Sequence, residues 1–548
     1  MQFVIFIAFT LLVGIVAYFA TKSTDEQSED GYFLGGRSLT GPVIAASLLL
    51  TNLSTEQLVG LNGSAFNEGI LVMAWETLAA IAMVVTAIVL LPRYLKGGLT
   101  TIPQFLERRY DTMTKSITSG LFLSGYVVVL LPIVLYSGAI ALIGMFDLNT
   151  LFQMEQSQTL VLTVCSIGII GSIYAIFGGL KAVAVSDSIN AIGLLAGGIL
   201  IPIFGLMMIG DGNLLEGLQT LTTDHPEKFK SMGGPTDPVP FYTIFTGMML
   251  VQLFYWGTNQ QIIQRALGAK NLEEGQKGLL LGSFIKILGP LIVVLPGIIA
   301  FHLFEGNLEN QDSAYPMLVN EVLLDAFVGF FAEVLFGAIL SSFNSVLNSS
   351  VTLFGIDIYK EHIHKSADER TVVKYGKTFG VILAILSMFI APLIANAGSL
   401  FDYLQEINGI YSIPILTIIV VGYLTKRVPA IAAKIGLVSG CLLYIVIQFF
   451  MQPYFIETAL AKAKTNGITD AAELALVKVQ EYPHFLDIMD ILFTLNIIIM
   501  LIIGKIQPRT TDFVQEYTQQ VDIKPWKYVK FAGLGICILV IGIYVYFA

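Results

Sequence analysis

Fourteen apolar stretches run through this chain, and two of them carry polar residues at the depth where hydrocarbon would surround the backbone: Thr51 through Gln57, and Gln252 through Gln264. A helix can be interrupted at membrane depth only where protein or a water-filled cavity takes over the freed hydrogen bonds. Such interruptions are where a polar solute and an ion find ligands inside a bilayer.

The stretches fall at 2–20, 41–65, 70–95, 116–146, 158–177, 187–210, 240–265, 276–304, 321–359, 374–395, 400–424, 430–451, 486–505 and 526–547. Each is long enough to cross about 30 Å of hydrocarbon. With 55% hydrophobic and 13% charged residues among 548, the chain is too apolar for a soluble globule. An all-α integral membrane protein of about 14 transmembrane helices is expected. The net charge of -10 and the lack of a basic patch argue against a nucleic-acid partner. Cys165, Cys441 and Cys537 all lie inside apolar stretches, which suggests neither a disulfide framework nor a metal cluster. Residues 2–20 have no basic segment before them and no small-residue cleavage site after, so an uncleaved first helix is expected.

Lysine and arginine favour cytoplasmic loops. With the N-terminus outside, 24 of the 30 fall in inside segments, from Lys22 and Arg37 to Lys527 and Lys530. Lys228, Lys230, Lys462, Lys464 and Lys478 fall in the two longest external loops, 211–239 and 452–485, and Lys286 falls within a span. Both termini are therefore expected outside, with short external links near 66–70, 147–157 and 396–399. Five spans from 41 to 210 and five from 240 to 424 each begin with an interrupted helix. An odd number per half gives the halves opposite orientations, as in inverted repeats, with 1–40 and 425–548 adding further helices to a single transporter-like domain.

Glu76 sits in apolar surroundings, where a carboxylate costs about 2.5–3.5 kcal/mol on insertion scales unless it faces a polar cavity. Lys286 lies about ten residues, roughly 15 Å, from the cytoplasmic end of its span, beyond easy snorkelling reach. Glu76 is expected to face solute, the alternative being a structural ion pair or hydrogen bond to a neighbouring helix, and Lys286 is better accounted for by a hydrogen bond to bound solute or to an acid beside it. Asp187 opens a span, where it serves either as a capping acid or on a cation pathway. Ser341, Ser342, Asn344, Ser345, Asn348, Ser349 and Ser350 form a dense run of hydroxyls and amides in one helix. Such residues permit close helix packing. They also offer hard oxygen ligands, which together with carbonyls released by the broken 41–65 helix suit a small monovalent cation. No lysine or arginine is expected in that region, which favours sodium over protons. Tyr255 and Trp256, beside Gln252, Asn259 and Gln260, combine aromatic faces with amides, a surface that suits sugars.

The chain resembles the sodium:solute symporter family, and within it the sodium/sugar cotransporters of the SGLT branch, with a likeness to uncharacterised bacterial members near the galactose symporter group. The resemblance is carried by Tyr32 to Leu39, Asn52 to Gln57, Phe177 to Asp187, Tyr255 to Arg265 and Leu347 to Lys360. It implies a LeuT-like core of ten helices in a 5+5 inverted repeat, with one helix before and three after. It further implies that Gln57, Glu76, Lys286, Gln405 and Gln252 contact solute, with Asn52 and Trp256 beside them and Tyr255 as an inner gate. Sodium would be held by Ser341 and Ser342 with carbonyls of Leu50, Leu53 and Ala338, and Asp187 would lie on its exit route. A second sodium site near Asp187, Asn344 and Ser345 is left open by the resemblance. Leu130 and Ala79 stand where polar sugar contacts occur in the galactose symporter, so the preferred solute is not fixed.

The function expected is sodium-coupled symport of a neutral, hexose-like sugar across the plasma (inner) membrane, with sodium as the coupling ion and membrane lipid as surroundings. The alternatives are a sodium symporter for a non-sugar organic solute, or a sensor or channel. Nothing resembles a catalytic triad, phosphate loop or metal motif, so no enzymatic activity is expected.

Overall fold

The computed structural model describes residues 2–21, 27–308, 310–396 and 400–548. Lys22 and positions 397–399 of the expected external link lie outside the described residues. The main helices in chain order are α1 (Gln2–Thr21), α2 (Gly41–Asn52), α3 (56–68), α4 (69–96), α5 (Thr112–Phe146), α6 (Gln156–Ile173), α7 (Gly179–Ile209), α8 (Gly247–Gly257) and α9 (Gln260–Leu267). They continue with α10 (Leu272–Lys286), α11 (Pro290–Leu303), α12 (325–363), α13 (Glu369–Ile394), α14 (Leu400–Leu424), α15 (Ala430–Thr465), α16 (Phe485–Ile506) and α17 (Val529–Tyr546). Among the described residues no β-strand forms.

Among the described residues, 10 helices are long and apolar enough to cross a membrane, or 11 with α10 and α11, which meet at a 42° bend, taken as one. The expected count of about 14 is larger because three of the expected spans do not pass as single long apolar helices. α1 passes only as the shorter apolar piece Ile5–Val16, while α2–α3 and α8–α9 are each split. The 41 residues of Glu56–Lys96 would reach about 60 Å as one rod, twice the hydrocarbon thickness. Gly69 divides them, with φ 73° and ψ -148°, a conformation open essentially to glycine alone.

The two longest polar loops are more structured than their polarity suggests. Residues 452–485, expected as a loop, continue α15 to Thr465 and then form a second helix, Ala471–Glu481. The 211–239 segment contains helix Leu214–Asp224 and a short turn over Pro226–Phe229 that carries Lys228 onto the end of α3. There the Lys228 ammonium donates to Phe66 O at 3.1 Å and Asn67 O at 2.5 Å, and it sits 3.8 Å from the centre of the Phe301 ring. Carbonyls left unpaired at a helix C-terminus thus receive a cation of the sign the helix dipole favours.

The expected start of a span at Asp187 is corrected by the structure. Helix resumes at Gly179 (φ 56°, ψ -171°), so Asp187 lies two turns inside α7 and caps nothing. Tyr32 lies against this kink: a Cβ on Gly179 would approach Tyr32 O to 3.0 Å, and the Tyr32 hydroxyl donates to Ala175 O at 3.1 Å.

Gly69→Ala adds a Cβ about 2.3 Å from Lys228 O in a backbone region alanine avoids. The expected loss of about 1–3 kcal/mol appears as a thermal midpoint several degrees lower in purified protein, whereas Gly120→Ala, where nothing lies within 4 Å, leaves the midpoint within a degree or so.

Candidate functional site

The first break follows from where the backbone ladder stops. Leu53 N bonds Leu49 O at 2.7 Å, and the next ladder bonds run from Gln57 N and Leu58 N to Ser54 O. The carbonyls of Leu50, Thr51, Asn52 and Leu53 are thereby released from helical pairing. Thr51 O accepts the Ser342 hydroxyl at 2.7 Å, and the Thr51 hydroxyl lies 3.1 Å from that of Ser341 and 3.3 Å from that of Ser345. Leu50, Leu53 and Ala338 are fully buried around the same contact between α2 and α12.

The second break lies between α8 and α9. Thr258 N and Asn259 N both bond Phe254 O, and the Asn259 side chain caps α9 by accepting from Gln261 N at 3.1 Å. The Tyr126 hydroxyl donates to Asn259 Oδ1 at 2.5 Å, and Tyr94 donates to the released Gly257 O at 2.9 Å. The amides that follow have structural work elsewhere. Gln260 accepts from Ile102 N and donates to Thr100 O, while Gln264 donates to Phe33 O and accepts from Ser349. Gln260 therefore does not contribute an amide to a solute site.

Between the two breaks lies a cavity with about 740 Å³ of empty space, its open mouth included. Asn52, Gln57, Glu76, Gln252, Tyr255, Trp256, Lys286 and Gln405 all line it. Eight residues from α2, α3, α4, α8, α10 and α14 thus converge on one space. Glu76 and Lys286, 1% and 2% exposed, form an ion pair. Lys286 also donates to Asn52 Oδ1 at 2.5 Å, and Asn52 Nδ2 donates to the Tyr255 hydroxyl at 3.3 Å. Gln252 donates to Trp75 O at 2.9 Å. Trp256 and Tyr255 meet edge to face at 5.3 Å, as do Trp75 and Phe401, so rings form much of the wall. Leu130 and Ala79 also line the cavity as apolar patches.

The ion pair needs a glycine. A Cβ on Gly289, in the bend between α10 and α11, would come within 2.4 Å of Glu76 Oε2. The bend therefore makes room for the carboxylate that Lys286 approaches.

Several residues of the site were not singled out from sequence. Asn408 and Ser412 line the cavity on the same face of α14 as Gln405, a spacing of three and then four residues that was available as a signal. Gln57 Oε1 and Ser412 Oγ are buried with no hydrogen-bond partner among the described residues, which leaves polar atoms available to a solute. Glu56 also lines the cavity and accepts from Ser54. Arg265 is the larger surprise, because the serine-rich region was expected to lack a basic residue. Its guanidinium is 1% exposed and donates to Ser345 and, at 2.9 Å, to Ser47, which in turn donates to Asp187 Oδ2 at 2.5 Å. Sequence hides this because α9 brings residue 265 across to α7 and α12 from more than seventy positions away.

A helical bundle with two split helices around a buried polar cavity is the architecture of a membrane transporter. A family model described as the sodium:solute symporter family matches residues 32–440. The chain belongs to that family. It is 46% identical over 545 residues to the uncharacterized symporter YidK of Escherichia coli (strain K12), covering 99% of this chain and 90% of that protein. It is 32% identical over 472 residues to the sodium/glucose cotransporter of Vibrio parahaemolyticus, covering 82% and 84%. Among solved structures, a substrate-bound, outward-open Na+-coupled sialic acid symporter superimposes with a TM-score of 0.72 at 17% identity, covering 93% of this chain and 99% of that one. The fold is thus the LeuT-like one, and sodium-coupled symport is the activity class the family defines; transporters, not enzymes, make up both sets of relatives.

Removing one member of a buried ion pair leaves the other charge uncompensated, at about 3–5 kcal/mol. Glu76→Gln should therefore lower thermal stability strongly in solute-free buffer, and Lys286→Met introduced alongside it should recover most of the loss. Additive losses in the double variant would show that the pair is not coupled.

Proposed function

We propose that this protein carries a neutral, hydroxylated solute of the hexose type together with sodium, by alternating access. The observation that carries the reading is that the cavity's one ammonium, Lys286, is already neutralised by Glu76. An anionic solute would have to compete with Glu76 for Lys286 and would lie against its carboxylate. A neutral polyol can instead exchange hydrogen bonds with both charges and with the amides of Asn52, Gln57, Gln252 and Gln405, while its C–H face stacks on Tyr255 or Trp256. The sodium/glucose cotransporter of Vibrio parahaemolyticus, a relative at 32% identity, supports the same class.

Sodium is placed where α2 is broken, held by the Ser341 and Ser342 hydroxyls and the carbonyls of Leu50, Leu53 and Ala338. These are hard, uncharged oxygens of the kind a small monovalent cation takes. Asp187 lies on the route by which the ion leaves, its charge linked to Arg265 through Ser47. That guanidinium argues against a further sodium at Asp187, Asn344 and Ser345, because a second cation would be repelled at hydrogen-bond range. Tyr255, tied to Asn52, closes the inner side. In this reading residues 41–210 and 240–424 are the inverted repeats, the protein sits in the plasma (inner) membrane, and both termini face outward.

The direct test is uptake of labelled hexose into proteoliposomes under an inward sodium gradient, after a thermal-shift screen of hexoses, pentoses and uronates with and without sodium. The expected result is sodium-dependent accumulation of a neutral sugar and none of a uronate. Stabilisation by uronates alone would replace the reading with that of an organic-acid symporter. Sodium passage without solute would indicate a channel, and no flux a sensor.

Glu76→Ala is expected to abolish solute binding in protein that still inserts, with normal binding removing Glu76 from the site. Ser342→Ala should raise the sodium concentration for half-maximal uptake by roughly tenfold. Its effect on stability should stay near the ~1 kcal/mol of one lost hydrogen bond.

A further inference from the structure

A second, smaller cavity of about 320 Å³ empty volume lies where α1 packs against α7 and α12, outside the solute cavity. Thr10, Ser186, Asn190, Glu333 and Ser341 supply its polar lining. Glu333 is 1% exposed and Asn190 4%, yet Glu333 Oε2 and Asn190 Oδ1 have no hydrogen-bond partner among the described residues. No lysine, arginine or histidine lines the space. A carboxylate in a membrane helix without a partner is costly and marks an ion or proton site far more often than a packing role.

The neighbouring hydroxyls sharpen the chemistry. Thr10 donates to Phe6 O at 2.9 Å and Ser186 to Val183 O at 2.9 Å, so both turn their hydrogens back to their own helices and offer lone pairs elsewhere. Acceptor atoms therefore predominate at the cavity, where the Asn190 amide N–H groups and the Ser341 hydroxyl are the donors among the described residues. Gly337 allows this: a Cβ there would fall 2.0 Å from Asn190 Nδ2, so only glycine lets the Asn190 amide lie against α12. One negative charge among neutral hard oxygens matches a single alkali cation, whose charge would be balanced on binding.

We propose that Glu333 and Asn190, with the Ser186 and Thr10 hydroxyls, form a second site for a monovalent alkali cation, sodium in the working symporter. Neither Arg265 nor Ser342 lines this cavity, and Ser341 borders both it and the Ser341–Ser342 contact with α2. Glu333 precedes Ser341 by eight residues of α12, about two turns, which separates an ion at Glu333 from the region proposed for the coupling sodium.

The test uses the wild-type protein in nanodiscs without any solute, treated with dicyclohexylcarbodiimide, which modifies buried carboxyl groups, in either sodium chloride or choline chloride. The extent of modification at Glu333 is read by mass spectrometry of the peptide. Modification in choline that falls at least several-fold in sodium is expected. Equal modification in both salts, or none in either, overturns the proposal. Glu333→Gln and Asn190→Leu should each bind one sodium fewer per molecule than wild type in equilibrium dialysis, and an unchanged count in folded variants overturns it as well. Sodium should still protect Glu333 in Ser342→Ala. Loss of protection there would place the ion at the serines instead and defeat this site without touching the proposed symport.

Discussion

The pair of Glu76 and Lys286 is the interaction on which the architecture turns. Two charges at membrane depth are tolerable only in each other's company and in that of further hydrogen-bonding groups. Here the pair draws α4 and α10 together and, through Asn52 and Tyr255, adds α2 and α8. The bend before Pro290 and the missing side chain at Gly289 follow from the same requirement, since a Cβ would displace the carboxylate. What remains around the pair is a cavity in which charges and amides are set among aromatic and aliphatic walls.

The break in α2 joins two chemistries at adjacent residues. Thr51 turns its carbonyl and hydroxyl to Ser342 and Ser341 on α12, whereas Asn52 turns its amide to Lys286 and Tyr255 in the cavity. A cation among the serine oxygens and a solute against Asn52 would act on one short, unwound stretch of backbone. Coupling then needs no long pathway: each ligand biases the same local arrangement, and the linkage between them is reciprocal.

Much of this was legible in the sequence, for definite reasons. Polar residues in apolar runs need a partner or a cavity, so the breaks near residues 53–55 and 258–259 followed from hydropathy, and the grouping of Gln57, Glu76, Gln252, Lys286 and Gln405 at one cavity from charge and family resemblance. What was hidden depends on three-dimensional contact. Gln260 reads as part of a sugar surface, but it clamps the backbone at Thr100 and Ile102, as Gln264 does at Phe33. Arg265 reads as the end of a span but reaches Ser345. Asp187 reads as a helix cap only until Gly179 is seen to start the helix two turns earlier. Glu333 drew no notice because its nearest polar neighbour along α12, Ser341, is two turns away, and Asn190 arrives from another helix.

The central claim is that ion and solute are bound as a linked pair by the broken helices. The measurement that tests it most directly is isothermal titration of the purified protein with the sugar found to bind it, across a series of sodium concentrations, and the converse titration of sodium at several sugar concentrations. The account predicts that sodium tightens sugar binding by the same factor as sugar tightens sodium binding. Sugar affinity indifferent to sodium, with both ligands bound, would contradict it.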